Sequence, residues 1–157
     1  MSRRPDIGFI PTPPHVVDLM LDLAQLRATD VIYDLGCGDG QILITAAQRY
    51  GVRGVGIDID RDRIAAAQQH AQAAQVAHQL EFRVQDLYET DLHEATVVFV
   101  YLLPHLNLKL RPTLWAQLQP GDRVLSHDFD MGDWVPDAVR QIAIEADEIA
   151  TIYRWIL

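Results

Sequence analysis

The run Asp34-Leu35-Gly36-Cys37-Gly38-Asp39-Gly40 packs three glycines and three other potential ligand-contacting residues into one short stretch. Glycines between an apolar run and a helical run let the backbone approach a ligand closely and leave helix amides pointing outward. The spacing is Gly-x-Gly-x-Gly. It departs from the dinucleotide fingerprint Gly-x-Gly-x-x-Gly, whose third glycine packs helix on strand around a pyrophosphate. Asp34 and Asp39 flank the turn, and their charge makes it a poor host for a diphosphate. They suit a ligand with an amino group and a positive centre. Asp58, in Gly-Ile-Asp-Ile-Asp, lies 18 residues beyond Gly40. A carboxylate at a strand end beside such a turn can accept bonds from two ribose hydroxyls. Asp86, in Gln-Asp-Leu-Tyr, stands where it can accept a bond from an adenine amino group. Together these residues describe an adenosine with a cationic amino-acid tail.

Other chemistry-bearing residues read more plainly. Cys37 has no apparent partner base and reads as a small residue packed in the turn. Asp39 reads either as a cap of the following helix or as a ligand contact. Tyr88 either flanks the adenine or belongs to the core. His105, His127, Asp128, Asp130 and Asp133 match no metal-ligand spacing and read as a solvated acidic loop. No metal is expected. Trp134 reads as a packing anchor, and Arg3, Arg4 and His15 as surface residues.

The elements that must position the site follow from periodicity and punctuation. Pro11, Pro13 and Pro14 give an extended lead-in, with Pro14 placed to open a helix over His15 to Leu26. Strands are predicted at Val31 to Leu35, Arg53 to Asp58, Leu80 to Val84, Thr96 to Tyr101 and Arg123 to Ser126. Helices are predicted at Gln41 to Tyr50, with its apolar face at Ile42, Ile44, Ala46 and Ala47, at Arg61 to Gln75, and at Leu106 to Leu118. Gly51 is placed for a left-handed cap and Asp60 for an N-cap. Strands alternating with helices argue for a mostly parallel α/β sheet. Val139 to Glu145 and Ala150 to Leu157 read as strands joined by a turn at Ala146 to Ile149. With no helix between them they form an antiparallel hairpin at the sheet edge. The sum is a seven-stranded sheet, and ligands of such sheets lie outside the carboxyl ends of the strands.

At 157 residues and 49% apolar composition the chain has room for one catalytic or binding domain, residues 1–157, and none for an added substrate domain. The formal charge of −9, with 22 acidic and 13 basic residues, disfavours non-specific nucleic-acid binding. One cysteine excludes an intrachain disulfide and a cysteine-based zinc site. The first residues read as no secretory signal. The longest apolar run, Ala95 to Leu103, is far short of the ~20 residues of a membrane helix. A cytoplasmic protein without a membrane anchor is expected.

The glycine loop, the strand-end carboxylates and the terminal hairpin resemble the class I S-adenosylmethionine-dependent methyltransferases, over about Ile7 to Leu157. The resemblance implies a Rossmann-like fold and S-adenosylmethionine as cofactor. It implies that Asp34, Gly36 and Gly38 hold the methionine end, Asp58 the ribose, and Asp86 with Leu87 the adenine. A narrower similarity rests on Phe9-Ile10-Pro11-Thr12-Pro13, on Val97 to Pro104 (Val-Val-Phe-Val-Tyr-Leu-Leu-Pro) and on Leu108-Lys109-Leu110. These segments are similar to the mitochondrial protein-lysine methyltransferases that modify adenine nucleotide translocase and the c-type subunit of ATP synthase, and to their small prokaryotic relatives. That similarity implies a protein-lysine acceptor and a lead-in, residues 1–14, lying over the cofactor with Thr12 at its methionine end. His127-Asp128-Phe129 stands where a more basic segment is expected. Direct displacement at a sulfonium methyl makes alignment the main task, and Tyr101, at the fourth strand's end, takes a positioning role on the acceptor side. The alternatives are a small-molecule or RNA methyltransferase, and a non-catalytic cofactor-binding module working with a partner.

Overall fold

The computed structural model describes residues 12–157. The Phe9-Ile10-Pro11 part of the lead-in lies outside them, so the described lead-in is Thr12 and Pro13 alone. In chain order the helices are α1 (Pro14–Ala24), α2 (Gln41–Tyr50), α3 (Arg61–Ala73) and α4 (Pro104–Gln117). The strands are β1 (Val31–Leu35), β2 (Arg53–Asp58), β3 (Leu80–Val84), β4 (Val97–Val100), β5 (Arg123–His127), β6 (Ala138–Glu145) and β7 (Glu148–Ile156). They form one sheet in the order β3-β2-β1-β4-β5-β7-β6. β1 to β5 run parallel, and β7 pairs antiparallel with both β5 and β6. The sheet is a Rossmann-like parallel sheet closed at one edge by an antiparallel terminal hairpin.

Side chains alternate across the pleat into two cores. Ile32, Val97, Phe99 and Leu125 face one core with α1, α2 and α3. Tyr33, Leu35, Val98, Val100 and Val124 face the other, with α4. A parallel sheet covered on both faces explains why β4 is apolar at all its positions. Each fully buried aliphatic side chain contributes about 1.5–3 kcal/mol.

Local chemistry sets the element ends. Pro14 opens α1 at its first turn, where its missing N–H costs nothing, and Gln25 closes it at φ 53°. Arg123 donates to the carbonyls of Ala24 and Gln25 and pairs with Asp30 at 2.5 Å, which ties that helix end to β5. Gly51 ends α2 at φ 67°, with its N–H on the Ala47 carbonyl. Asp60 caps α3 by accepting from the amides of Asp62 and Arg63. The β6–β7 turn is tighter than its sequence signal and consists of Ala146 and Asp147 alone.

Two expectations are corrected. Asp39 does not cap α2: the N-cap residue is Gly40, at φ 86°, and no side chain caps the helix. The apolar face of α2 centres on Leu43, fully buried with Ala46 and Ala47, while Ile42 and Ile44 are only partly buried. The reason lies on β2. Gly54 has no side chain, and a Cβ there would stand 2.8 Å from Leu43 Cδ2. The missing side chain leaves the space that Leu43 fills. No helix among the described residues is long and apolar enough to cross a membrane.

Candidate active site

The carboxyl ends of β1, β2 and β3 hold one half of the site. The chain leaves β1 through Gly36, at φ 89°, and turns back so that the Gly36 and Cys37 amides donate to the Ile57 carbonyl at 2.7 and 2.9 Å. A Cβ on Gly36 would meet nothing within 4 Å, so this position opens to solvent as a cradle. Gly40 behaves differently. A Cβ there would lie 3.1 Å from Ala67 and from the Phe82 ring, so Gly40 packs α2 against α3 and β3. The third glycine thus serves helix packing despite its altered spacing. Cys37 is buried beneath the loop, and burial, followed by the charges of Asp34 and Asp58, pushes its thiol far up. That fits a packed residue and not a nucleophile.

Asp58 links the loop to the next turn. Its Oδ2 accepts from Gly38 N at 3.0 Å and its Oδ1 from Asp60 N at 2.9 Å. A carboxylate has about four acceptor positions, so each oxygen retains one for a ligand hydroxyl. Asp34 is buried, and no hydrogen bond from the described residues reaches its carboxylate. Burial, then the charges of Asp58 and Asp39, push it up to about 7. Three mutually repelling carboxylates around one glycine loop disfavour a phosphate and favour a cation. A charged α-amino group beside a sulfonium meets that demand. Asp86 follows β3 and accepts from Tyr88 N at 2.9 Å, which shapes the short turn Leu87–Glu89. Leu87 and Tyr88 are half-buried against the α4 core. The Tyr88 hydroxyl donates to the Leu106 carbonyl at 3.1 Å and Lys109 Nζ lies 4.1 Å from its ring centre. These contacts favour the core reading of Tyr88. The residues present therefore fit S-adenosylmethionine.

The second half of the site lies at the ends of β4 and β5. Leu35 pairs with Val100, and Val100 with Ser126. The next residues of the three chains are Gly36, Tyr101 and His127, and β1, β4 and β5 are neighbours in the sheet. The Tyr101 ring stacks on His127 with centroids 4.0 Å apart and on Phe129 with centroids 6.0 Å apart. Burial, then the charge and hydrogen bonding of Asp128, then Glu148, push the Tyr101 hydroxyl up. Thr12 Oγ1 meets His127 Nδ1 at 3.4 Å, so the described end of the lead-in docks on β5.

His127 is corrected from a solvated loop, while Asp128 stays a partly exposed residue of the turn after β5. His127 is the last residue of β5 and 3% exposed. Burial pushes its imidazole down, with Asp128 acting in the opposite direction. Asp128 turns the chain at φ 66°. The predicted strand stopped one residue short, and that residue is the one that faces Tyr101. Asn107 was also unforeseen. It is fully buried in α4 and donates from Nδ2 to the carbonyls of Phe129 at 3.2 Å and Asp130 at 3.0 Å. Among the described residues, no group of three or more His, Cys, Asp or Glu is arranged to hold a metal ion. Trp134 is the packing anchor expected, set between Trp115 and Trp155.

A Rossmann-like sheet with a cation-seeking glycine loop after β1 and the Asp58 carboxylate at the end of β2 makes this chain a class I S-adenosylmethionine-dependent methyltransferase. Residues 34–138 match the ANTKMT methyltransferase domain, and the chain belongs to that family. It is 37% identical to a protein-lysine N-methyltransferase of Saccharolobus islandicus over 158 aligned positions, covering 100% of this chain and 98% of that protein. It is 30% identical to the adenine nucleotide translocase lysine N-methyltransferase of Mus musculus, over 87% of this chain and 59% of that one. The chain thus spans about 59% of the length of that mouse relative. Among solved structures it is similar to an RNA methyltransferase from Salinibacter ruber in complex with S-adenosylhomocysteine, at 55% identity and TM-score 0.86. That match covers 94% of this chain and 93% of the other.

Proposed function

We propose that this chain, working as one methyl-transfer domain over residues 1–157, methylates the side-chain amine of a protein lysine. The observation that carries this reading is the sign of the charge around Tyr101. The groups acting on the Tyr101 hydroxyl are the carboxylates of Asp128 and Glu148. Those acting on neighbouring Tyr153 are Asp130 and Asp128. A field of that sign draws in an ammonium and repels a phosphate backbone. The lysine-directed relatives from Saccharolobus and mouse support the same acceptor.

In this reading Asp34, Gly36 and Gly38 hold the methionine end of the cofactor, Asp58 the ribose diol, and Asp86 with Leu87 the adenine. Bound S-adenosylmethionine supplies an electrophilic methyl on a positively charged sulfur. Asp34 offers a desolvated carboxylate to the cationic tail. Tyr101, one strand over from Gly36, positions the acceptor. Thr12 docks the lead-in against His127 beside it. The proposed compartment is the cytoplasm, supported by Cys37 as a buried free thiol.

The Salinibacter relative carries the description RNA methyltransferase, so RNA is the second reading. Tritiated S-adenosylmethionine and a cell lysate decide between them. Label that resists ribonuclease and is recovered as methyl-lysine after acid hydrolysis supports the lysine reading. Label released by ribonuclease overturns it.

A further inference from the structure

We propose that Asp128 is the seat for the acceptor's ammonium group, with Tyr101 beside it and the buried His127 and Asn107 fixing its position. The inference rests on the amine reading above and names the residue that would make the selection.

Four observations converge. First, Asp128 is charged without a cation to match. Its Oδ1 accepts from Thr151 N at 3.0 Å, and its Oδ2 lies 3.7 Å from His127 Nε2. Among the described residues no lysine or arginine forms an ion pair with it. Second, His127 Nε2 is fully buried and has no hydrogen-bond partner among the described residues. A polar atom in that state, directed at Asp128 across a gap longer than a hydrogen bond, marks an incomplete site. Third, the carboxylate remains accessible, with its side chain 31% exposed, while His127 beneath it is sealed. Fourth, the backbone that presents Asp128 is clamped. Asn107 Nδ2 holds the carbonyls of Phe129 and Asp130, and Ser126 Oγ donates to the Phe129 carbonyl at 2.5 Å. A left-handed non-glycine residue held this firmly is a device for aiming a side chain.

The surroundings suit an ammonium. Aromatic rings attract cations, and the Tyr101 and Phe129 ring centroids lie 6.0 Å apart. Position suits it as well. His127 is two strands from Gly36 along the carboxyl edge, with Tyr101 between them. Asp128 follows His127, whose ring stacks on Tyr101 at 4.0 Å, so an amine held there sits beside Tyr101.

The test uses n-butylammonium as a lysine side-chain probe and n-butanol as its uncharged control, each titrated into protein saturated with S-adenosylhomocysteine. The variant is Asp128→Asn. Asparagine tolerates the left-handed region as aspartate does and keeps an oxygen for Thr151 N, so the loop is preserved. Saturable binding of n-butylammonium but not n-butanol is expected. Asp128→Asn should weaken it by about tenfold or more, the scale of one charge-assisted hydrogen bond. S-adenosylhomocysteine affinity should stay within about twofold. No saturable binding, or equal binding by the variant, overturns the seat. Steady-state methylation of poly-L-lysine and of total RNA separates the two readings. Wild-type transfer to poly-L-lysine with an unchanged KM in Asp128→Asn overturns the seat and leaves the lysine acceptor standing. Probe binding through Asp128 with methyl transfer to RNA alone overturns the lysine acceptor and leaves an amine seat.

Discussion

The Asp58 carboxylate accepts the amide of Gly38 at 3.0 Å, so the side chain we assign to the ribose also pins the loop we assign to the methionine. One residue therefore couples the two ends of the cofactor site. Asp58→Ala should abolish measurable S-adenosylhomocysteine binding in calorimetry. It should also cost about 1–3 kcal/mol of stability in denaturant titration, because the Gly38 and Asp60 amides lose their acceptor. Micromolar binding by the variant would contradict the assignment.

Asp34 gives the cofactor site a pH dependence. Burial and the neighbouring carboxylates raise it from 3.8 to about 7. Its folded value lies above its unfolded value, so its contribution to stability is present below pH ~4 and lost as pH rises through ~7. A cationic ligand reverses this by stabilising the carboxylate. Binding of S-adenosylhomocysteine at pH 6 should release protons, and at pH 8 Asp34 should release none. Calorimetry in buffers of different ionisation enthalpy measures this, and Asp34→Asn should abolish the difference. In the ligand-free protein, the Tm of Asp34→Asn relative to wild type should rise by about 5 °C between pH 5 and pH 8.

Gly56 supports the loop from below. A Cβ there would lie 2.6 Å from Phe82 Cδ1 and 2.8 Å from Cys37 Sγ. Gly56→Ala should destabilise the fold by about 1–3 kcal/mol in urea and weaken S-adenosylhomocysteine binding, because relief requires Cys37 to move. A stable variant with unchanged affinity would show that the loop tolerates displacement.

Asn107 makes a separable prediction. It bonds the Phe129 and Asp130 carbonyls, and none of its hydrogen bonds among the described residues goes to the glycine loop. Asn107→Ala should cost about 1–3 kcal/mol, raise the acceptor KM and leave S-adenosylhomocysteine affinity unchanged. A variant impaired in cofactor binding alone would refute the division of the site into two halves.

The residues proposed for the cofactor stand out in the sequence because they are local. Asp34 to Gly40 is a single turn, and Asp58 ends the very next strand. Alternating pattern and turn residues placed β1, β2 and β3 at their observed bounds. The cluster of Tyr101 and His127 is not legible for a topological reason. Tyr101 and His127 are 26 positions apart and meet only because β4 and β5 pair in register. Reading His127 as the last strand residue, and not as the first loop residue, would have revealed it. Leu43 was missed because its burial depends on the absent side chain of Gly54 on another strand. Metal-ligand spacing among the loop acids carries no information about an organic cation.

The three tryptophans of the chain, Trp115, Trp134 and Trp155, form a single aromatic ladder. Trp155 Nε1 donates to the Trp134 carbonyl at 2.8 Å, which fastens the segment after Asp128 to the C-terminal end of β7. The chain's intrinsic emission therefore comes from one place, six positions downstream of the proposed amine seat. A rearrangement of that segment would change the fluorescence of the unlabelled protein, while events confined to the far edge at β3 would be optically silent. Acceptor engagement thus has a native reporter, with no dye to introduce and no tryptophan elsewhere in the chain to obscure it.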